Sequence, residues 1–333
     1  MSVSTHEELA KATLKEYAVA IDSALNECQS GWANTPLFEP IRYLLDLGGK
    51  RLRPALVLAS CEAEEGNPND ALPAALAVEI FHNFTLMHDD IMDAAPLRRG
   101  KVTVHEKWDV NTAILSGDAM FVEAYQALLG LPNHLLRSTL ELFNRTATEV
   151  CEGQERDMAF EQLNGITVEA YLEMIRLKTS VLLAAALKMG ALTAGADAQR
   201  CALYFDLGIA LGMAFQLQDD YLDAFGDPEH FGKQVGGDIL SDKKTYLYLR
   251  CLERANSEQR HRFEQLTKVG IHPEEKIEGI KRLFKETGAA DELRERIEHF
   301  NGKALELVET IEPNPKGRAV FGHLAAMVST RMQ

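Results

Sequence analysis

The 333-residue sequence contains few cysteines and no paired ones. Its five cysteines are Cys28, Cys61, Cys151, Cys201 and Cys251, and none of them forms a Cys-x-x-Cys pair. Because their number is odd and their spacing is wide, the sequence indicates neither a disulfide framework nor a zinc site. A reducing cytoplasm is the simplest compartment for such a chain.

Positive charge is also scarce. The formal net charge is −15, which argues against a nucleic-acid-binding protein, because such proteins need a basic surface to displace counterions from phosphates. An anionic ligand would therefore have to be held by bound metal ions or by a few lysines and arginines concentrated in one place.

Long apolar segments are missing as well. The amino terminus carries acidic residues where a secretion signal would have a basic and then an apolar stretch. The most apolar run, Val181 to Leu187, stops at Lys188, well short of the ~20 residues that span a bilayer. We expect no integral membrane segment and at most peripheral membrane contact.

Alternating strand patterns are absent, and apolar residues instead recur every three or four positions, as at Ile80, Phe84 and Met87. This spacing predicts an all-α chain. Thr5-x-x-Glu8 resembles a capping box that opens a first helix, and Gly48-Gly49 is expected to end a second helix after Leu47. No flexible linker is evident, so a single domain is expected over residues 1–333. Its chemical motifs lie at about 40–250, and a helical scaffold follows at about 250–333.

Two acidic clusters share one spacing: Asp89-Asp90-x-x-Asp93 and Asp219-Asp220-x-x-Asp223. In a helix, residues i and i+4 lie about 5 to 6 Å apart on one face. At an effective dielectric near 20, two carboxylates at that spacing repel by roughly 3 kcal/mol, which favours a bound cation. Hard carboxylate oxygens suit magnesium. A solvated acidic helix face is the alternative, but two chance copies are expected only at about the per-cent level.

Basic residues are concentrated near these clusters. Gly48-Gly-Lys-Arg-Leu-Arg-Pro54 places three cations in a predicted turn, where they could hold a diphosphate or merely cap a helix. Further cations accompany each acidic cluster: Arg98-Arg99 after the first, and Lys178, Lys233, Lys243 and Lys244 around the second. An acidic protein that gathers basic charge beside its densest acidic charge has what a metal–diphosphate site requires.

These motifs, in this order, resemble the trans-isoprenyl diphosphate synthases of the polyprenyl synthetase family. The resemblance covers about residues 40–250 and includes Leu97-Arg-Arg-Gly100, Gly153-Gln154, Gly232-Lys233 and Gly237-Asp238. It implies the isoprenoid synthase type I fold, a bundle of about ten or more helices around a central cavity, and it implies a homodimer.

The resemblance also implies a role for each matching residue. Isopentenyl diphosphate should be bound by Lys50, Arg53, His82 and Arg99, and the allylic diphosphate by Arg98, Lys178, Lys233 and Lys243. Three magnesium ions, with Mn²⁺ as a possible substitute, should be coordinated by Asp89, Asp93 and Asp219, with Asp90, Asp220 and Asp223 completing the acidic rims. Oxygens near Lys178-Thr179 and Gln216 should stabilise the allylic carbocation. A lone histidine in an apolar helix is usually structural, but His82 precedes Asp89 by two helical turns and is interpreted as a binding residue.

Product length should depend on the residues one turn or more before Asp89, which would line a tunnel for the growing chain. Phe84, with Thr85 beside it, resembles the floor of short-chain synthases that make C20 geranylgeranyl diphosphate or C15 farnesyl diphosphate. Met120, Phe121 and Tyr125 are alternative determinants of tunnel depth.

Two other functions remain open at this point. A class I terpene cyclase would also use an aspartate-rich helix and magnesium, but Asp219-Asp220-x-x-Asp223 and the second set of cations argue against it. A non-catalytic subunit of a heteromeric prenyl synthase would be expected to lose aspartates or basic residues, and none is missing.

Overall fold

Helices make up nearly all of the regular structure in the computed structural model, which describes residues 3–227 and 235–330. The all-α prediction is confirmed. Lys233, one of the predicted diphosphate-binding residues, lies outside the described residues. In the first half of the chain, the helices and strands are α1 (Val3–Gly31), α2 (Glu39–Asp46), α3 (Leu52–Ala63), a 3-10 turn (Pro68–Ala71), α4 (Leu72–Met92), β1 (Leu97–Arg98), β2 (Lys101–Val102), α5 (Val104–Lys107), α6 (Val110–Leu128) and α7 (Asn133–Gln162).

The second half continues the helical pattern, interrupted by a five-residue π-helical turn. Its elements are α8 (Val168–Ile175), the π turn (Arg176–Ser180), α9 (Val181–Thr193), α10 (Ala198–Phe225), α11 (Gly237–Leu240), α12 (Tyr246–Arg254), α13 (Ser257–Leu266), α14 (Pro273–Glu286), α15 (Ala289–Ile311) and α16 (Pro315–Thr330). The described residues after residue 250 therefore lie mostly in helices, as predicted.

The chain divides into two compact units. The first contains the described residues up to Asn144 together with Ala185–Phe205 and Ile311–Phe321, and the second contains Arg145–Ala184, Asp206–Thr310 and the described residues from Gly322 onward. The two aspartate clusters belong to different units, and each is described below within its own unit. The single-domain expectation stays a prediction.

In the first unit, α4 packs along α6 and is buried on most of its surface. Small residues such as Ala74 and Ala77 are fully buried beside Ile80 and Phe81. Burying a side chain such as Phe81 contributes about 1.5–3 kcal/mol. This packing fixes the carboxyl end of α4, where the first aspartate cluster lies.

In the second unit, α10 is the central helix. It is long and apolar enough to cross a membrane by composition, but most of its apolar stretch is buried in the protein. Met213, Ala214 and Leu217 pack in a core that also contains Tyr246 and Leu293. The second aspartate cluster follows this core on the same helix.

Three local features differ from the sequence-based expectations. Helix α1 already includes Val3, so Thr5 lies inside the helix, and the capping-box prediction is wrong. Helix α3 begins at Leu52, which places Arg53 on its first turn rather than in the preceding loop. Residues 97–102 form a small hairpin, because Arg99 and Gly100 both adopt the positive φ angles of a two-residue hairpin turn. Two-residue strands are too short to produce a detectable alternation.

Candidate active site

The first aspartate cluster lies at the carboxyl end of α4. Asp93 caps this helix, and its backbone N–H donates to the carbonyl oxygen of Asp89 at 2.9 Å. The next residue, Ala94, turns the chain away with φ 48°. Asp89 and Asp93 are therefore one helical turn apart, as predicted.

Asp90 faces a different direction from its neighbours and is almost fully buried. The Nε of Arg98 donates to both of its carboxylate oxygens at 2.8 Å, and Nη2 of the same arginine lies 2.6 Å from Oδ1. Arg98 Nη2 also lies 4.0 Å from Oδ2 of Asp89. Since a buried carboxylate needs a partner, this pair holds the hairpin of residues 97–102 against the acidic end of α4.

The predicted isopentenyl diphosphate residues are brought together in this unit. Nη1 of Arg53 lies 3.2 Å from Nε2 of His82. The guanidinium of Arg99 lies so close to Gly49 that a Cβ there would come within 3.0 Å of it, which places Arg99 beside the loop that carries Lys50. Lys50 itself is exposed.

The charges of this basic group are mutually unfavourable. Burial, and then the neighbouring arginines, hold the pKa of His82 well below its usual value, so the ring is neutral and its Nε2 accepts a hydrogen bond from Arg53. Burial also lowers the pKa of Arg53 and of Arg99, which Glu79 partly opposes. The Nε of Arg53 is buried and has no hydrogen-bond partner among the residues that the structure describes. A site with excess positive charge and an unused buried donor favours an anionic ligand.

An aromatic cluster lies on α4 before the first aspartate. The ring of Phe84 stacks on that of Phe121 from α6, with centroids 5.0 Å apart and an interplanar angle of 12°. Phe81 and His88 flank Phe84 at 5.5 and 4.7 Å. The hydroxyl of Thr85 donates a hydrogen bond to the carbonyl oxygen of His82 at 2.7 Å, and this bond lies within α4. Phe121, one of the alternative depth determinants, is the direct neighbour of Phe84.

In the second unit, Lys178 and Thr179 lie on the π-helical turn. Such turns insert an extra residue into a helix and occur frequently at functional sites. A Cβ on Gly153 of α7 would come within 2.3 Å of the backbone nitrogen of Lys178, so only glycine permits this approach. The Nζ of Lys178 donates to Oδ2 of Asp157 at 2.6 Å.

A chain of polar contacts joins this turn to the second aspartate cluster. The Thr179 hydroxyl donates to Oε1 of Gln216 at 3.1 Å, and Nε2 of Gln216 lies 3.5 Å from Oδ1 of Asp220. The hydroxyl of Tyr171 donates to the other oxygen of Asp220. Burial raises the pKa of Asp220 to about 7, and the charge of Asp238 adds to this effect while Tyr171 opposes it. The charge of Lys243 also lowers the pKa of Asp220, but the effect of burial is larger.

Asp223 organises the segment that follows α10. Its Oδ1 accepts the backbone N–H of Asp238 at 2.9 Å, and its backbone oxygen accepts the N–H of Gly236 at 2.6 Å. Lys243 is exposed. The next residue, Lys244, is anchored, because its Nζ donates to three backbone oxygens at the end of α7, those of Phe160, Glu161 and Leu163.

Magnesium fits these donors. Among residues 3–227 and 235–330, no three acidic, histidine or cysteine side chains form a ready metal cage. Mg²⁺ keeps several waters and is commonly held by one or two carboxylates together with substrate phosphates. Carboxylates one turn apart, next to the cations predicted to bind diphosphate, match that mode of binding better than a preformed cage would.

Three residues in contact with the predicted site were not singled out from the sequence: Glu79, Asp157 and Tyr171. Asp157 follows Gly153 of the Gly153-Gln154 motif by one helical turn, so its position on α7 was the available signal. Glu79 and Tyr171 gave none, because an isolated glutamate or tyrosine in a helical pattern looks like any other.

Comparison with known proteins gives a consistent result. A family model described as polyprenyl synthetase matches residues 34–287. The short chain isoprenyl diphosphate synthase of Methanothermobacter thermautotrophicus is 38% identical over 279 residues, which cover 84% of this chain and 85% of that protein.

Solved structures agree with this match. The crystal structure of a geranylgeranyl pyrophosphate synthase is 46% identical, covers 96% of this chain and 98% of that chain, and superposes with a TM-score of 0.88. A geranylgeranyl pyrophosphate synthase from Corynebacterium glutamicum, complexed with isoprenyl diphosphate and magnesium, is 28% identical, covers 99% and 100% of the two chains, and has a TM-score of 0.79. The fold expected from the resemblance is confirmed.

Proposed function

We propose that the main product of this chain, which belongs to the polyprenyl synthetase family, is geranylgeranyl diphosphate (C20). Farnesyl diphosphate (C15) is the shorter candidate. Short-chain prenyl transfer itself is shown by the relatives, which include geranylgeranyl diphosphate synthases. The stack of Phe84 on Phe121, just before the first aspartate cluster, is the observation that carries the chain-length proposal, because two aromatic rings there would end an apolar tunnel early.

The basic group of the first unit is proposed to bind isopentenyl diphosphate through Lys50, Arg53 and Arg99. Neutral His82 orients Arg53, and the unused Nε of Arg53 supplies a donor for a phosphate oxygen. Arginine suits this task because its fixed fork of donors matches phosphate geometry. A terpene cyclase has no second diphosphate and would leave this group without a function.

Divalent metal use is common to the family, as the magnesium complex of the Corynebacterium enzyme illustrates. We propose three Mg²⁺ ions, replaceable by Mn²⁺, at Asp89, Asp93 and Asp219, with Asp90, Asp220 and Asp223 behind them. Bound magnesium would neutralise the negative charge that develops on the departing diphosphate. Arg98, Lys178, Lys233 and Lys243 are proposed to bind the allylic diphosphate.

The chain's own residues then act on the two substrates. Lys178 donates to the departing diphosphate, which stabilises its charge as the allylic C–O bond breaks. Thr179 and Gln216 present oxygen atoms, already aligned by their mutual hydrogen bond, that stabilise the allylic cation. The isopentenyl double bond attacks this cation, and the released diphosphate accepts the proton that is lost.

The protein is proposed to act as a homodimer. Three apolar residues on α6 and at its carboxyl-terminal cap repeat every seven positions and are 60%, 57% and 58% exposed: Leu115, Val122 and Leu129. An exposed apolar stripe at heptad spacing is suited to packing against another helix. We expect light scattering to report a dimer and Val122→Glu to shift it toward a monomer, and a monomeric wild-type protein would contradict this proposal.

The remaining assignments concern location and domain structure. We propose that the protein works in the cytoplasm, since its five cysteines are free and a reducing compartment would keep them so. We also propose one synthase domain, because the family match at residues 34–287 includes parts of both compact units.

A direct assay tests the function. The purified protein would be incubated with magnesium, isopentenyl diphosphate and each of dimethylallyl, geranyl or farnesyl diphosphate, and the products would be sized after dephosphorylation. We expect a C20 main product that is lost with EDTA and restored by Mg²⁺ or Mn²⁺. Absence of elongation with every primer would contradict the function, and products that stop at C15 would correct the length.

A further inference from the structure

Arg51 lies between two proposed substrate-binding residues, Lys50 and Arg53, but its own side chain turns into the protein. The residue is only 7% exposed. Its Nε donates to Oδ1 of Asp22 at 2.9 Å, and its Nη1 donates to Oε1 of Glu79 at 2.6 Å. Its Nη2 donates to the carbonyl oxygen of Leu45 at 3.1 Å. All three guanidinium nitrogens have protein partners, so Arg51 is not available to a diphosphate.

The backbone at Arg51 is held in an unfavourable conformation. Its φ angle is 47°, in the left-handed region, which costs a residue with a side chain roughly 1–2 kcal/mol. Arg51 also caps α3, since its carbonyl accepts the N–H of Ala55 at 3.0 Å. Such a conformation persists only where surrounding contacts determine it, and the two buried hydrogen bonds of the Arg51 side chain, to Glu79 and Leu45, are those contacts.

Glu79 connects this loop to α4. It is 3% exposed, and its Oε1 also accepts a hydrogen bond from Nδ2 of Asn83 at 3.1 Å. Glu79 precedes His82 by three residues, close to one helical turn, on the helix that ends in the first aspartate cluster. The Arg51–Glu79 pair therefore ties the loop that carries Lys50, and the start of the helix that carries Arg53, to the helix that carries His82.

We infer that Arg51 and Glu79 form a positioning pair, which sets the geometry of the isopentenyl diphosphate site without touching the substrate. This inference rests on the proposed binding role of Lys50 and Arg53. The competing explanation is that the pair only stabilises the fold. The two explanations differ for a variant in which both residues are replaced and stability is recovered. If the pair only stabilises the fold, that variant should bind isopentenyl diphosphate normally. If the pair positions the site, the variant should bind it more weakly.

Replacing a buried ion pair by apolar residues of similar volume is often neutral or stabilising, whereas removing one partner leaves an uncompensated buried charge. Arg51→Met alone should therefore lower thermal stability. The double variant Arg51→Met/Glu79→Leu should recover it, and Asn83 keeps its other bond, to the carbonyl of Glu79 at 2.8 Å. Arg51→Lys keeps the charge but loses the three-way fork, and it provides a folded variant if the double variant does not fold.

The experiment measures the melting temperature of each variant and the KM values for isopentenyl diphosphate and for farnesyl diphosphate. In both the double variant and Arg51→Lys, we expect KM for isopentenyl diphosphate to rise about tenfold, equivalent to about 1.4 kcal/mol, with KM for farnesyl diphosphate changed less than about twofold. Backbone amides of residues 48–53 should exchange hydrogen faster. Asp22→Asn is the matched control, because it alters the half-exposed partner of the same arginine and should leave both KM values unchanged.

Lys50→Met separates failure of this inference from failure of the site assignment. If Lys50→Met raises KM for isopentenyl diphosphate and the folded Arg51 variants do not, the positioning role is wrong and the binding site stands. Equal rises for both substrates would overturn the inference in the same way. If Lys50→Met has no effect, the site assignment itself is wrong, and the inference fails with it.

Discussion

Phe84→Ala is expected to lengthen the product. The ring of Phe84 lies parallel to that of Phe121, with centroids 5.0 Å apart, and Phe81 lies behind it at 5.5 Å. Because a phenyl ring and an isoprene unit contain similar numbers of carbon atoms, removing one ring from a close-packed wall makes room for about one unit. The main product should shift from C20 to about C25. Phe121 would then form the new wall, so Phe84→Ala/Phe121→Ala should reach about C30 by the same reasoning.

The single substitution should leave the protein folded. Truncating a fully buried phenylalanine costs about 3–5 kcal/mol, and Phe84 is only partly buried, so a loss of about 2–3 kcal/mol is expected. Domains of this kind have about 5–15 kcal/mol of stability. The assay uses labelled isopentenyl diphosphate with farnesyl diphosphate as primer, followed by dephosphorylation and reversed-phase chromatography of the alcohols.

Phe143→Leu is the matched control for lost aromatic packing. Phe143 belongs to the same cluster, but its ring packs on Phe81, Phe121 and Tyr125 rather than on Phe84. It should destabilise the fold without changing product length. An unchanged product distribution in folded Phe84→Ala would refute the floor assignment, and equal lengthening by both variants would show that loosened packing, not the position of Phe84, sets the length.

Three further predictions concern the metal site, the anchor of the second unit and the histidine. Asp219→Asn should lower kcat by about 10²–10³, the range seen when one charge-stabilising group is lost, and full activity at saturating Mg²⁺ would contradict its assignment. Lys244→Met should lower the free energy of unfolding by about 2 kcal/mol, because a charged donor loses three carbonyl partners at the end of α7. Urea denaturation measures this loss, with substitution of the exposed Lys303 by Met as the control. His82 should remain neutral in NMR titrations, because burial and the neighbouring arginines hold its pKa well below the usual value. The unfolded chain then binds more protons than the folded protein below about pH 6.5, so stability falls as the pH drops through that point, and His82→Gln should remove this component.

The sequence predicts the fold class and the aspartate clusters well because both depend on spacing. A period of three to four residues determines which face of a helix is apolar, and the same period places Asp89 over Asp93 on one helix face. The hairpin at residues 97–102 depends instead on positive φ angles at Arg99 and Gly100, and the π turn at Arg176–Ser180 depends on the close approach that Gly153 permits. Neither feature produces a periodic pattern.

Side-chain partners are harder to predict than positions on helices. The sequence brings Lys50, Arg51 and Arg53 together as three equivalent cations, yet the structure exposes Lys50 and buries Arg51 against Glu79, 28 residues further along the chain. Which arginine turns inward depends on the left-handed backbone at Arg51 and on a carboxylate from another helix. Both are features of the tertiary structure, and a local sequence motif does not determine them.

Two of the cations proposed to bind the allylic diphosphate, Arg98 and Lys178, are each paired with a carboxylate. Arg98 is bound to Asp90 and Lys178 to Asp157, each within its own unit. A diphosphate that takes up either cation competes with a carboxylate already in place, and the carboxylate would be left with unfavourable charge unless another cation compensates it. The magnesium proposed to bind at Asp89 and Asp219 would supply that compensation, so each ligand should bind more tightly when the other is present. Because such coupling is reciprocal, allylic diphosphate should raise magnesium affinity by the same factor by which magnesium raises the affinity for allylic diphosphate.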